Sequence, residues 1–131
     1  MDIDRRFFDE MAEHGRAAFP NEACGLLAGK EGRPIGFYPM ANRDASPVSY
    51  RLDPKEQLAV FNEMDEEGWE LLAIFHTHTH SEAYPSETDR AQAFYPEAAY
   101  LVMSLSDRAN PVLRGFRIVD GGIAEEELRI T

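Results

Sequence analysis

Glu70-Leu71-Leu72-Ala73-Ile74-Phe75-His76-Thr77-His78-Thr79-His80-Ser81-Glu82-Ala83-Tyr84-Pro85-Ser86 is the stretch from which the rest of the chain can be read. Glu70–Phe75 is a nearly continuous apolar run, too short for a helix of ordinary length. In a chain that alternates helix and strand, such a run is predicted to be a central strand covered on both faces. It delivers the backbone straight into His76. The segment from His76 to Pro85 is therefore expected as a loop at the strand's C-terminal end, where open α/β sheets place their chemistry.

Outward from this strand the pattern changes period several times. Upstream, Ile3, Phe7, Met11, His14 and Ala18 recur at spacings of three and four, an amphipathic first helix that Pro20 closes. Cys24–Lys30 and Ile35–Met40 read as strands joined by the Gly and Pro of Glu31-Gly32-Arg33-Pro34. After a polar segment from Asn42 to Pro47, Asp53 is placed to cap a second helix with Pro54 in its first position, running through Leu58, Phe61 and Met64 to Gly68. Downstream, a third helix is expected from near Ser86 to just before Pro96. Tyr100–Leu105, Val112–Val119 and Ile123–Ile130 follow as strands, the last two joined across Asp120-Gly121-Gly122. The fold class is thus α/β, a mixed β-sheet flanked by helices, with residues 1–131 as a single domain.

Composition narrows the function. The 131 residues carry 13 Lys plus Arg against 24 Asp plus Glu, a net charge of −11, which leaves little from which to build a phosphate-tracking surface and argues against nucleic acid as a partner. No apolar run approaches the roughly 20 residues of a membrane helix. The one cysteine, Cys24, makes no internal disulfide, and the opening residues have no apolar signal-peptide core, so a cytoplasmic compartment is expected.

Three of the four histidines are His76, His78 and His80. In extended backbone, side chains two apart leave the same face, so His76 and His78 can converge on one metal ion. Asp89 follows His78 by eleven positions, in the first turn of the third helix, where its carboxylate can fold back over the pair. Two imidazoles and one carboxylate leave a tetrahedral zinc with its fourth position open to water, as catalytic sites require, and a water there is acidified toward neutrality. Glu22, a carboxylate entering the apolar strand Cys24–Lys30, is the candidate general base. Ser86 is the candidate hydroxyl donor to a developing oxyanion.

Taken together, Glu22, the His76-x-His78 pair, Pro85-Ser86 and Asp89 resemble the signature of the JAMM, or MPN-plus, zinc metalloproteases of the JAB/MPN fold. The spacing from the first His through Pro-Ser to Asp matches at every step, and Glu22-Ala23-Cys24-Gly25-Leu26-Leu27 is similar to the short stand-alone bacterial members. The resemblance implies one zinc per chain on His76, His78 and Asp89, with Glu22 activating the water and returning its proton to the leaving amine, and Ser86 steadying the oxyanion. It also implies a peptidase or isopeptidase acting at the C-terminus of ubiquitin-like sulfur-carrier proteins. Thr79 departs from the family's Pro after the second His and is expected to loosen the loop, with His80 as a competing imidazole.

Simpler readings exist for several of these residues. Ser86 with Asp89 has the spacing of a helix capping box, His14 suits a packed boundary histidine, and Cys24 suits a small buried core residue. Among other functions, a non-catalytic scaffold of the same fold is the alternative, although scaffolds usually lose ligands and here the set is complete. A His-x-His phosphoesterase needs further ligands after His80, where no histidine follows. A zinc nucleobase deaminase needs a Cys pair that one cysteine cannot supply.

Overall fold

Residues 1–131 are described by a computed structural model, whose elements run β1 (Asp2–Ile3), α1 (Arg5–Ala18), β2 (Cys24–Lys30), β3 (Arg33–Met40), α2 (Pro54–Glu67), β4 (Glu70–His78), α3 (Glu87–Ala91), β5 (Ala99–Ser104), β6 (Val112–Val119), β7 (Gly122–Glu126) and β8 (Arg129–Ile130). Six strands form one mixed sheet in the order β3-β2-β4-β5-β6-β7, and β1 with β8 makes a small parallel pair. Only β4 and β5 are parallel within the large sheet; its other neighbours are antiparallel. The fold is therefore the helix-flanked mixed α/β sheet expected from the sequence.

Strand β4 is central and covered on both faces, because its side chains alternate between two separate cores. Ala73 and Phe75 join Phe7, Met11, Leu27, Leu101, Met103 and Leu105 under α1. Ile74 joins Leu26, Met64, Tyr100, Val102 and Phe116 on the α2 side. Register carries the second row onward: Ile74 lies opposite Tyr100, His76 opposite Val102 and His78 opposite Ser104. The histidines thus extend an apolar row.

Several boundaries differ from those expected, each for a physical reason. Strand β4 continues to His78, so the loop starts at Thr79; pairing with β5 persists through the histidines, and Leu105 N–H still donates to the His78 carbonyl. Ile3 is fully buried but lies in β1, not on the first helix, which starts at Arg5. The first hairpin needs only Glu31 and Gly32, both at positive φ, and Pro34 is absorbed into β3, an edge strand where a missing N–H is tolerated. Helix α2 keeps its Asp53 cap and its Gly68 end, but Leu58 is exposed and only Met64 is fully buried. Helix α3 stops at Ala91, well short of Pro96, since Asp89 is its only buried residue and no apolar stripe extends it. The last predicted strand breaks at Glu126, after which Leu128 packs on the α1-side core and Arg129–Ile130 pairs with β1. No helix is long and apolar enough to cross a membrane.

Candidate metal centre

The site forms where β4 meets the start of α3. His76 and His78 leave the same face of β4, 1% and 5% exposed. Asp89 is brought to them by the turn that starts α3: the Ser86 N–H donates to Asp89 Oδ2 at 2.8 Å and the Asp89 N–H donates to Ser86 Oγ at 3.1 Å, a reciprocal capping box. Asp89 Oδ2 then lies 3.0 Å from His76 Nε2 and 2.9 Å from His78 Nε2, with the two Nε2 atoms 3.2 Å apart. Three ligand atoms therefore face one point.

This donor set fits a borderline cation such as zinc, which takes imidazole nitrogen and carboxylate oxygen together. Tautomer supports the fit as well. His78 Nδ1–H donates to the Glu82 carbonyl at 2.8 Å, which leaves its Nε2 lone pair free for a metal. Burial holds the His76 imidazole below its ordinary range. For His78 burial acts the same way but is outweighed by Asp89 and the Glu82 carbonyl, which raise it. Although burial opposes its charge, the Asp89 carboxyl is held well below the usual carboxylate range by His76 and His78.

Glu22 precedes β2 and is 4% exposed, and its Oε1 has no hydrogen-bond partner. Burial raises its carboxyl to about 8, against an attraction from His78 and with a further push from Asp89. Its place beside β4 is fixed through Thr77, the residue between the two ligand candidates. The Ala23 N–H donates to Thr77 Oγ1 at 2.8 Å and the Thr77 N–H donates to the Ala23 carbonyl at 3.0 Å. Thr77 itself can occupy this position because Gly15 on α1 leaves room for it: a Cβ at Gly15 would come within 2.9 Å of Thr77 Cγ2.

Other expectations resolve as follows. Ser86 is exposed and its oxygen is used by the cap, while its own proton stays available to donate. Thr79 is 3% exposed, and its hydroxyl donates to the Pro47 carbonyl at 3.1 Å. His80 turns away from the cluster toward Thr79 and the Phe19 ring. Cys24 is buried with its thiol directed to the Ala41 carbonyl, and burial pushes it up to about 12. His14 Nε2–H donates to the Cys24 and Met40 carbonyls, a packed histidine.

Two participants have no counterpart among the expected site residues. Tyr50 stacks on His76 with ring centres 4.4 Å apart and planes 18° from parallel. It also walls a cavity of about 340 Å³ with Leu52, Gln57, Phe94, Tyr95 and Tyr100. Asn42 bonds the backbone around both Glu22 and Tyr50. Their one signal is an aromatic and an amide in an otherwise small, polar segment.

Comparison with known proteins agrees with this geometry. The family model described as prokaryotic homologs of the JAB domain matches residues 4–119. A protein of Mycobacterium tuberculosis named CysO-cysteine peptidase is 45% identical over 122 residues, covering 92% of this chain and 84% of the relative. A protein of Haloferax volcanii named desampylase is 34% identical over 107 residues, covering 76% of this chain and 77% of that protein. The solution structure of a Desulfitobacterium hafniense protein superposes with a TM-score of 0.90 at 39% identity, over 100% of this chain and 93% of that one. The chain belongs to the prokaryotic JAB-domain family and is a hydrolase.

Proposed function

We propose that this chain is a zinc peptidase that cleaves an amide or isopeptide bond at the C-terminal tail of a ubiquitin-like sulfur-carrier protein. The observation that carries the reading is the convergence of His76, His78 and Asp89 on one point beside the buried, unpartnered carboxylate of Glu22. The names of relatives point the same way. One is a CysO-cysteine peptidase, another a probable TtuB-protein conjugate cleaving protease.

In this reading His76, His78 and Asp89 hold one zinc per chain. When bound, zinc supplies Lewis acidity toward the scissile carbonyl and toward a water molecule. Glu22 accepts the proton of the attacking water and carries it to the departing amine. Burial makes this carboxyl take up a proton more readily than one in water, which suits it both to accept the proton and to pass it on. The backbone pair between Ala23 and Thr77 keeps Glu22 alongside the ligands during the transfer. Ser86 donates its hydroxyl proton to the oxygen on which negative charge develops, while its oxygen continues to cap α3 and hold Asp89. Tyr50, which stacks on His76, also lines a cavity, and that cavity is assigned to the substrate chain. We further propose that residues 1–131 act as one catalytic unit in the cytoplasm, where the thiol of Cys24 stays reduced.

The test is incubation of the zinc-loaded protein with candidate carrier proteins bearing C-terminal extensions, followed by mass spectrometry. Release of one defined fragment is expected. Zinc binding with no release from any carrier would favour the non-catalytic scaffold.

A further inference from the structure

The two histidines at the candidate metal centre are oriented in different ways. His78 is held by a hydrogen bond from Nδ1–H to the Glu82 carbonyl. His76 has no such partner: its Nδ1 is buried and unbonded. Away from its Nε2, which faces Asp89 and His78, the ring is held by the stacked ring of Tyr50, 4.4 Å away. Metal-ligating imidazoles are normally aligned by a hydrogen bond at the second nitrogen, so the stack takes over a task that elsewhere is done by a donor and acceptor. Whatever holds Tyr50 then holds His76.

Tyr50 belongs to an irregular segment that closes on itself through a bridge between Asn42 and Leu52. One side chain organises it. Asn42 Nδ2 donates to the Ser49 carbonyl at 2.9 Å and to the Glu22 carbonyl at 3.0 Å, with a longer contact to the Ser46 carbonyl at 3.5 Å. Asn42 Oδ1 accepts from the N–H of Asp44 at 3.0 Å and of Arg51 at 3.1 Å. A carboxamide has two N–H donors and one two-lone-pair acceptor, so the group is fully used. The contacts fall where the chemistry is placed. Ser49 and Arg51 flank Tyr50 on both sides. The Glu22 backbone is gripped from both ends as well, since its N–H donates to the Ser46 carbonyl at 2.8 Å within the same segment.

We infer that Asn42 is a positioning residue that sets the general-base candidate Glu22 and the metal-ligand candidate His76, through Tyr50, in one fixed relation. The inference rests on the function proposed above for Glu22 and His76, and it goes beyond that function by coupling the two groups through a residue that touches neither metal nor substrate. A residue that only closed a loop would affect unfolding and leave zinc affinity and turnover of the folded protein alone.

Two variants test this. Asn42→Asp keeps the acceptor toward Asp44 and Arg51 and loses both donors, turning an oxygen toward the Glu22 and Ser49 carbonyls; Asn42→Ala removes everything. Zinc affinity is measured by competition with a colorimetric chelator, and kcat and KM on a cleaved carrier protein. In folded Asn42→Asp, zinc affinity is expected to fall about tenfold and kcat about ten- to a hundredfold, with KM within about threefold of wild type. Asn42→Ala is expected to do the same or more, and if it fails to fold, Asn42→Asp decides alone. The inference is overturned if zinc affinity or kcat in a folded variant stays within about twofold of wild type. A wild-type chain that binds zinc yet cleaves no carrier refutes the proposed function instead, and the zinc measurement then decides this inference by itself.

Discussion

The two faces of β4 use the same backbone to opposite ends. Toward α1 the strand presents Ala73, Phe75 and Thr77, and every polar group there is satisfied: the Thr77 hydroxyl accepts from Ala23, and the rest is apolar contact with Phe7, Met11 and Leu101. Toward α2 it presents Ile74, His76 and His78, and burial is accompanied by unmet demands. His76 Nδ1 and Glu22 Oε1 have no partners, and Asp89 Oδ2 is shared by two imidazoles and the Ser86 N–H. Burying a polar atom without a partner costs free energy that the α1 face does not incur. One face is arranged for stability and the other carries the proposed site.

Changes on the two faces should therefore separate. The largest effect is expected at His76→Ala: wild-type protein carries about one zinc per chain and the variant none, with carrier cleavage abolished and the fold retained, since the ring removed has a buried Nδ1 without a hydrogen-bond partner. Full zinc in that variant, read by metal analysis, would break the comparison. On the other face, Phe75→Ala removes a fully buried ring that meets Phe37 edge-on and is expected to cost about 3–5 kcal/mol in chemical denaturation, while the folded fraction keeps normal zinc affinity. A smaller loss, about 1 kcal/mol net, is expected for Gly15→Ala, where better helix propensity is outweighed by a Cβ pressed against Thr77 and Leu105. Because Thr77 positions Ala23 next to Glu22, that variant also reports whether strain on the α1 face reaches the site: a lowered kcat at unchanged KM would sharpen the division into a coupling.

Period and spacing made most of this legible. The apolar run ending at His76 identified the central strand, and the eleven-residue step to Asp89 with Ser86 before it identified both the helix cap and the side chains that converge at the site. What stayed hidden was set by contacts distant in sequence. Nothing local to Thr77 announces that it bonds Ala23, 54 positions away. Tyr50 and Asn42 lie in a segment without period, where an aromatic or amide side chain has no preferred face until the fold supplies His76 and Glu22 as neighbours. The short α3 and the break before β8 escaped notice for a related reason, since tertiary contacts of Asp89 and Leu128 override the local pattern there.

Glu22→Gln tests the central claim most directly, because it should improve the fold and remove the reaction in one step. In the metal-free protein the Glu22 carboxyl is raised by burial from 4.5 to about 8, so the folded state holds the proton more tightly than the unfolded one. Stability attributable to this group is present below pH 4.5 and is lost as pH rises through about 8. Metal-free Glu22→Gln should accordingly melt higher than wild type at pH 8–9, by an amount that shrinks toward pH 4.5. Loaded with zinc, it should bind the metal as wild type does and release fragment from a carrier protein about a hundredfold to ten-thousandfold more slowly. Fragment release at the wild-type rate by zinc-loaded Glu22→Gln would contradict the account.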